Sequence, residues 1–420
     1  MTHTVLKNVT VIDGTGAEPR PNTTIVVRDN RIESIEPNDR ARYPEDSTVY
    51  DGAGQWALPG LIDCHVHSAY AGVPDLGQLV LKELPSLFAI RATVHARALL
   101  NAGITAVRDG GSTAYADIAL RQAIDRGLVP GPRISAAGYG LKMTSGHGDG
   151  FYSPTVQLQQ PGLANSPDEA RLVARTNLKM GANHIKIISC SGGVMSEGTE
   201  AGAPQFTVEE MQAAIDEAHK AGKRAMAHAH GTQAIKNAIL AGIDSVEHGS
   251  YLDDEAIEMM LQRGIYLVPT LLASYRIVEH GEKGGIPEYA VRKAKQVRGD
   301  QIASFKRARD AGVKIAMGTD AGTPYNIHGE NLNELPLMVQ AGMGSMEAII
   351  ASTRSGAALL GMADKIGTLE VNKLGDVVVT VRNPLDDIDL FKDVGCIVHV
   401  MKDGVVFRSN LSVTKAAGQV

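Results

Sequence analysis

The stretch LPGLIDCHVH, residues 58 to 67, sets two histidines one residue apart at the end of an apolar run. On a strand, residues i and i+2 point to the same side, so His65 and His67 can close on one metal ion from one face. The same spacing also suits two polar residues where a strand surfaces. Side chains of similar chemistry recur in similar places: Lys186 in HIKIIS, His228 and His230 in AHAHG, His248 in EHG and Asp320 in GTD. Lys186 is the odd member, because an unpaired ammonium inside an apolar strand is costly to bury. An ion pair with a neighbouring carboxylate is one answer to that cost, and Asp320 could equally cap the segment that follows it.

The elements that must position these residues share one grammar: amphipathic helix, glycine, short apolar strand. It reads ARALLNAGITAVRD, ARTNLKMGANHIKIIS, AIDEAHKAGKRAMAHAH, AIKNAILAGIDSVEH, AIEMMLQRGIYLVPT and FKRARDAGVKIAMGTD. Gly103, Gly181, Gly222, Gly242, Gly264 and Gly312 stand where left-handed helix caps are expected. The strand ending at His65 and the run RISAAG (133 to 138) bring the count of strands to eight. Eight strands alternating with helices over about 300 residues predict a parallel (β/α)8 barrel, whose functional residues collect at the C-terminal strand ends. A doubly wound sheet would show a glycine-rich phosphate turn after its first strand, and GLIDCHVHS is no such turn. His228 and His248 each fall six residues after their capping glycine, which places them on one common rim.

Alternating strands and turns fill both ends of the chain, as in NTTIVVRDNRIESI and LGDVVVTVRNP, and neither end can bury a sheet alone. The reading is one small β-sandwich-like domain from residues 1–58 plus 363–420, and a barrel from 59–362. The 420 residues carry a net charge of −6 with no basic runs, which argues against nucleic acid or an anionic membrane as partner and favours a small molecule. Three scattered cysteines argue against a disulfide framework and suit a reducing, cytoplasmic setting, and no run approaches a membrane span.

The set of motifs resembles the amidohydrolase superfamily of metal-dependent hydrolases: His-x-His on strand one, Lys on four, His on five and six, Asp on eight. ITAVRDGG, TSGHGD, IKIISCSGGVMS, AHAHG, EHGSYLDDE, GTDAG and KIGTLEVNKLGDVVV resemble its prolidase-like branch. That branch includes Xaa-Pro dipeptidase-like enzymes, carboxypeptidases acting on dipeptides and N-acyl amino acids, and ochratoxin-hydrolysing amidases. The resemblance implies that His65, His67 and Asp320 hold a more buried metal and His228 and His248 a more exposed one. It also implies that Lys186, carbamylated by CO2, bridges the two. His230 then lies behind the ligands or faces substrate. Such ligands suit zinc, with cobalt or manganese as substitutes. Relatives of this kind form homo-oligomers, up to an octamer.

Two divalent ions about 3.5 to 4 Å apart lower the pKa of a shared water from about 15.7 to near 7. The expected reaction is attack of that water, as hydroxide, on an amide carbonyl, with Asp320 taking its proton and passing it to the departing amine. His147, in the loop KMTSGHGDGFY, is a candidate to stabilise the tetrahedral oxyanion. Arg276, Tyr251, Ser191 and Gly192 are candidates for substrate binding, and the loop 139–167 for a lid. Two rivals remain: a mononuclear cyclic-amide hydrolase or deaminase of the same superfamily, and a non-catalytic scaffold. Lys186 opposes the first, since such enzymes use one metal and no bridging lysine. The complete set of six ligands opposes the second.

Overall fold

Seventeen strands run along the chain among the described residues of the computed structural model, which are 2–150, 153, 155 and 160–415. Five open it: β1 (His3–Val11), β2 (Arg20–Arg28), β3 (Arg31–Pro37), β4 (Thr48–Asp51) and β5 (Trp56–Pro59). Eight follow, alternating with helices: β6 (Leu61–Val66), β7 (Ile104–Asp109), β8 (Arg133–Ser135), β9 (His184–Ile187), β10 (Arg224–Ala229), β11 (Ser245–His248), β12 (Tyr266–Val268) and β13 (Lys314–Ile315). Four close it: β14 (Val377–Thr380), β15 (Ile397–Lys402), β16 (Val405–Ser409) and β17 (Ser412–Lys415).

The eight middle strands form two parallel sheets, β6-β7-β8 and β9 to β13. The anticipated strands and their order are present, but the ladders do not close into one ring. Backbone hydrogen bonds from irregular segments cross both gaps instead. Leu141 N–H donates to Lys186 O and Ile188 N–H to Leu141 O, each at 2.8 Å, beside β9. On the other side Cys64 N–H reaches Met317 O at 2.8 Å and Asp320 N–H reaches His65 O at 2.7 Å. The segment carrying Asp320 is thereby tied to β6, although β13 itself is only two residues long.

The helix-and-glycine grammar explains the register. All six capping glycines have φ between +65° and +102°. Helix Val208–Lys220 shows the rest of the logic: Thr207 and Glu210 form a reciprocal capping box, and Met211, Ala214, Ile215 and Ala218 turn inward. Burying one such Met or Ile side chain contributes roughly 1.5–3 kcal/mol. Its partner β10 is alanine-rich, with Ala225, Ala227 and Ala229 fully buried, as befits a strand covered on both faces.

Both ends of the chain meet in a single nine-stranded sheet, in which β5 pairs with β14 and β4 with β17. Two packed sheets were anticipated; the structure has one, which forks at β1. Thr4–Lys7 pair with β4, and Thr10 and Val11 with β5. No helix among the described residues is long and apolar enough to cross a membrane. The 139–167 loop includes positions outside the described residues, so the lid expectation falls partly there.

Candidate metal centre

His65 lies in β6, Lys186 in β9, His228 in β10 and His248 at the end of β11; His67, His230 and Asp320 follow their strands closely. Register keeps them level, with Lys186 opposite Met226 and Ala229 opposite His248. His248, Thr270 and Asp320 have φ of 70°, 50° and 61°, a left-handed backbone that costs side-chain-bearing residues of order 1–3 kcal/mol each. Three successive strand ends thus carry strain in order to turn their side chains onto one rim.

The side chains gather into two groups. In the first, the ligand atoms of His65, His67 and Asp320 lie within 4.8 Å of one another. Asp320 Oδ1 is 3.2 Å from His67 Nε2 and 3.5 Å from His65 Nε2. Lys186 Nζ stands 3.1 Å from His65 Nε2, and burial brings its ammonium down to about 8. In the second, His228, His230 and His248 lie equally close. His228 Nδ1 is 2.8 Å from His248 Nε2, and His147 packs against His228 with ring centroids 4.1 Å apart. Burial pushes the imidazoles of both groups down, His67 excepted. It lowers His65 and His230 to about 4 and His147 to about 3, and drives His228 and His248 well down. On His67 burial is outweighed by the bonded Asp320 carboxylate.

Neutral imidazole is the form that ligates metal. His228 Nδ1 faces His248 Nε2 at 2.8 Å, and one ligand nitrogen from each of His228, His230 and His248 lies within 4.8 Å of the others, an arrangement that a divalent ion would satisfy. These residues fit divalent ions.

A sequence model of the amidohydrolase family matches residues 56–407. The chain belongs to the amidohydrolase family. Ochratoxinase from Aspergillus niger is 31% identical to this amidohydrolase over 425 aligned residues, covering 95% of the chain and 85% of that protein. The crystal structure of a Xaa-Pro dipeptidase with bound methionine in the active site superposes with a TM-score of 0.90 at 35% identity, covering 97% of this chain and 100% of the other. A prolidase complexed with N-methylphosphonate-L-proline matches at a TM-score of 0.90 and 31% identity, with the same coverage. The amidohydrolase therefore has a barrel-type α/β fold, uses divalent metal and hydrolyses amide C–N bonds.

Other side chains singled out in the sequence of this amidohydrolase are already engaged. Arg276 donates to Glu279 at 2.8 Å and to Glu330 at 2.7 Å. Ser191 Oγ accepts from the backbone N–H of His230 at 3.0 Å, and Gly192 N–H donates to Ala203 O at 2.8 Å. Tyr251 is half-buried beside Val194, Ile277 and Val291 in an apolar cluster, and its own N–H donates to His230 O at 2.8 Å. The structure uses Ser191 and Tyr251 to seat His230 from two sides.

Several groups went unread in the sequence. Glu247, fully buried, holds His65 Nδ1 at 2.9 Å and is itself held by Arg108 at 2.8 Å and Ser245 at 2.5 Å. Burial works to raise the Glu247 carboxyl, but Arg108 and His65 outweigh it and bring it to about 2. Asp63 accepts from His65 N–H at 3.0 Å, the Thr319 hydroxyl at 2.6 Å and the Asn331 amide at 2.7 Å, which ties β6 to the turn before Asp320. Thr270 bonds His248 Nδ1 at 2.6 Å and Ser250 bonds His230 Nδ1 at 2.7 Å. The glutamate in SVEH, one residue before His248, was the clearest signal available.

Proposed function

We propose that this metal-dependent amide hydrolase is a binuclear enzyme acting on dipeptides or N-acyl amino acids, including ochratoxin-like amides. The observation that carries the reading is the pair of three-residue ligand groups at one rim, with Lys186 beside the first and within electrostatic reach of His228 and His248 in the second. His65, His67 and Asp320 would hold one ion, His228 and His248 the other, and carbamylated Lys186 both, with zinc the ion best suited to the donors. Divalent ions there would lower the pKa of a shared water toward neutrality and polarise the scissile carbonyl. Asp320 accepts the water's proton and delivers it to the departing nitrogen. Donation from His147 stabilises the oxygen that gains charge, and His230 faces the substrate. The 31% identity with ochratoxinase and the match to a Xaa-Pro dipeptidase support the substrate class.

Two coarser features belong to the same reading. Residues 1–58 plus 363–420 make a β domain attached to the 59–362 barrel, in a cytoplasmic protein that self-associates, up to an octamer. Exposed Val80, Leu81, Leu84, Ile90 and Val94 support self-association, since such apolar rows mark interaction surfaces. The deciding experiment is amine release from a dipeptide and N-acyl amino acid library by protein reconstituted with zinc and bicarbonate. Turnover of at least one class is expected. No turnover by a fully metal-loaded protein would refute the assignment.

A further inference from the structure

The partner of each Nδ1 atom reveals which ring nitrogen carries hydrogen. His65 Nδ1 faces the Glu247 carboxylate at 2.9 Å, and His67 Nδ1 faces the Gly111 carbonyl at 2.9 Å. Both partners accept, so Nδ1 carries hydrogen in each; His65 Nε2 keeps its lone pair toward Lys186 Nζ at 3.1 Å, whereas His67 Nε2 shares its side with the Asp320 carboxylate at 3.2 Å. His248 Nδ1 faces the Thr270 hydroxyl at 2.6 Å, and that hydroxyl donates to the Pro269 carbonyl at 2.8 Å. Nδ1 is again the protonated atom, and Nε2 is left to ligate.

His147 differs. Its Nδ1 lies 2.6 Å from Ser196 Oγ, and the same oxygen accepts from Gly193 N–H at 3.3 Å. Ser196 is buried, and a buried hydroxyl must place its hydrogen on an acceptor. Among the described residues His147 Nδ1 is the only acceptor bonded to it. The hydrogen therefore runs from Ser196 to Nδ1, which leaves the ring's own hydrogen on Nε2. Nε2 makes no hydrogen bond among the described residues.

We propose that Ser196 is a positioning residue that locks His147 in the Nε2–H form, so that this ring, unlike those of His65 and His248, offers a donor to substrate. The proposal rests on the amide-hydrolysis reading for its purpose, since a donor is what a carbonyl oxygen gaining charge requires. The surrounding loop is built to hold the pair. Ser196 N–H donates to Gly193 O at 3.2 Å, and the buried Lys293 ammonium bonds the carbonyls of Ser196 and Thr199. A Cβ on Gly193 would fall 2.4 Å from His147 Cε1, so only glycine lets the ring lie against this backbone. His147 is anchored on its own side too, by N–H donation to Gln205 at 2.8 Å and by its carbonyl accepting from Ser189 at 2.7 Å.

The test reads the tautomer directly. Zinc-loaded enzyme labelled with 15N-histidine is measured by solid-state NMR, with the His147 signals identified by their loss in His147→Gln. The expected spectrum shows a bare Nδ1 and a protonated Nε2. Ser196→Ala should move the hydrogen wholly or partly to Nδ1 with metal content unchanged, and Ser196→Thr should restore the original pattern. On any amide found to turn over, Ser196→Ala should lower kcat about tenfold to a hundredfold with little change in KM, short of the roughly 10² to 10³ for losing an oxyanion donor outright. A wild-type His147 protonated on Nδ1, or one indifferent to Ser196→Ala, overturns the proposal, and the wild-type spectrum decides even if a variant fails to fold. Because the spectrum needs no substrate, it stands apart from the amide reading: a failed substrate screen leaves the tautomer in place, and a contrary tautomer leaves any measured hydrolysis intact.

Discussion

The two ligand groups stand side by side on the rim and differ in charge. His65 and His67 share Asp320 and have Glu247 behind them, whereas His228, His230 and His248 are three neutral imidazoles backed by hydroxyls or by one another. A dication in the first group meets an anion that the chain supplies outright. In the second, the ligands bring no charge of their own, so any anion must be borrowed from a neighbour. Lys186 is the neighbour whose chemistry can change sign, from ammonium to carbamate. The contrast teaches that the second group depends on Lys186 for its charge, whereas the first has a carboxylate of its own.

The most drastic way to break the contrast is to remove that lysine. Lys186→Ala should empty the second group and lower kcat/KM by about a thousandfold or more, the scale of losing an essential group. Metal analysis should find at most one ion per chain, and a short aliphatic carboxylic acid should restore part of both. The same lysine predicts a pH effect. CO2 adds only to the neutral amine, which burial makes the dominant form above about 8. Stripped protein at fixed dissolved CO2 should therefore load the second ion faster as pH rises through that value. Full activity of Lys186→Ala would remove the basis of the binuclear reading.

A milder change sharpens the contrast from the other side. Glu247→Gln keeps the shape but takes away the charge behind His65, and orienting carboxylates of this kind are worth about tenfold to a hundredfold in metal affinity. Chelator competition should show the first ion weakened and the second little changed. Equal weakening of both would mean that the groups are not independent in the way their partners imply. At the small end stands Arg276→Ala. Its pairs with Glu279 and Glu330 involve partly exposed carboxylates, so stability should fall by no more than about 1 kcal/mol in chemical denaturation. A tenfold rise in KM would instead return Arg276 to the substrate.

What could be read from sequence followed from local rules. Glycine caps fix where a strand begins, so His228 and His248, each six residues past a cap, could be placed on the rim without coordinates. Lys186 stood out because an ammonium in an apolar strand needs a reason. The partners were not legible, because they come from far away: Arg108 and Glu247 are 139 residues apart, and Asp63 and Asn331 are 268 apart. Thr270 was overlooked because its strand end carries no histidine. His230 seemed separable from His228 on sequence, yet the structure draws it into the same group. Arg276 looked free because nothing local announces Glu330, 54 residues on.

The sheet shared by the two chain ends has a consequence in time. Thr380 in β14 lies 324 residues beyond Trp56 in β5, the strand that it pairs with. At about 5–20 residues per second of synthesis, the nascent β1 to β5 wait on the order of tens of seconds with the outer edges of β4 and β5 open. An open edge is a template for wrong partners, including the same segment emerging from a neighbouring ribosome. The last strands to be made are thus a latch: until they arrive, the first fifty-odd residues are a half-built sheet in need of shelter.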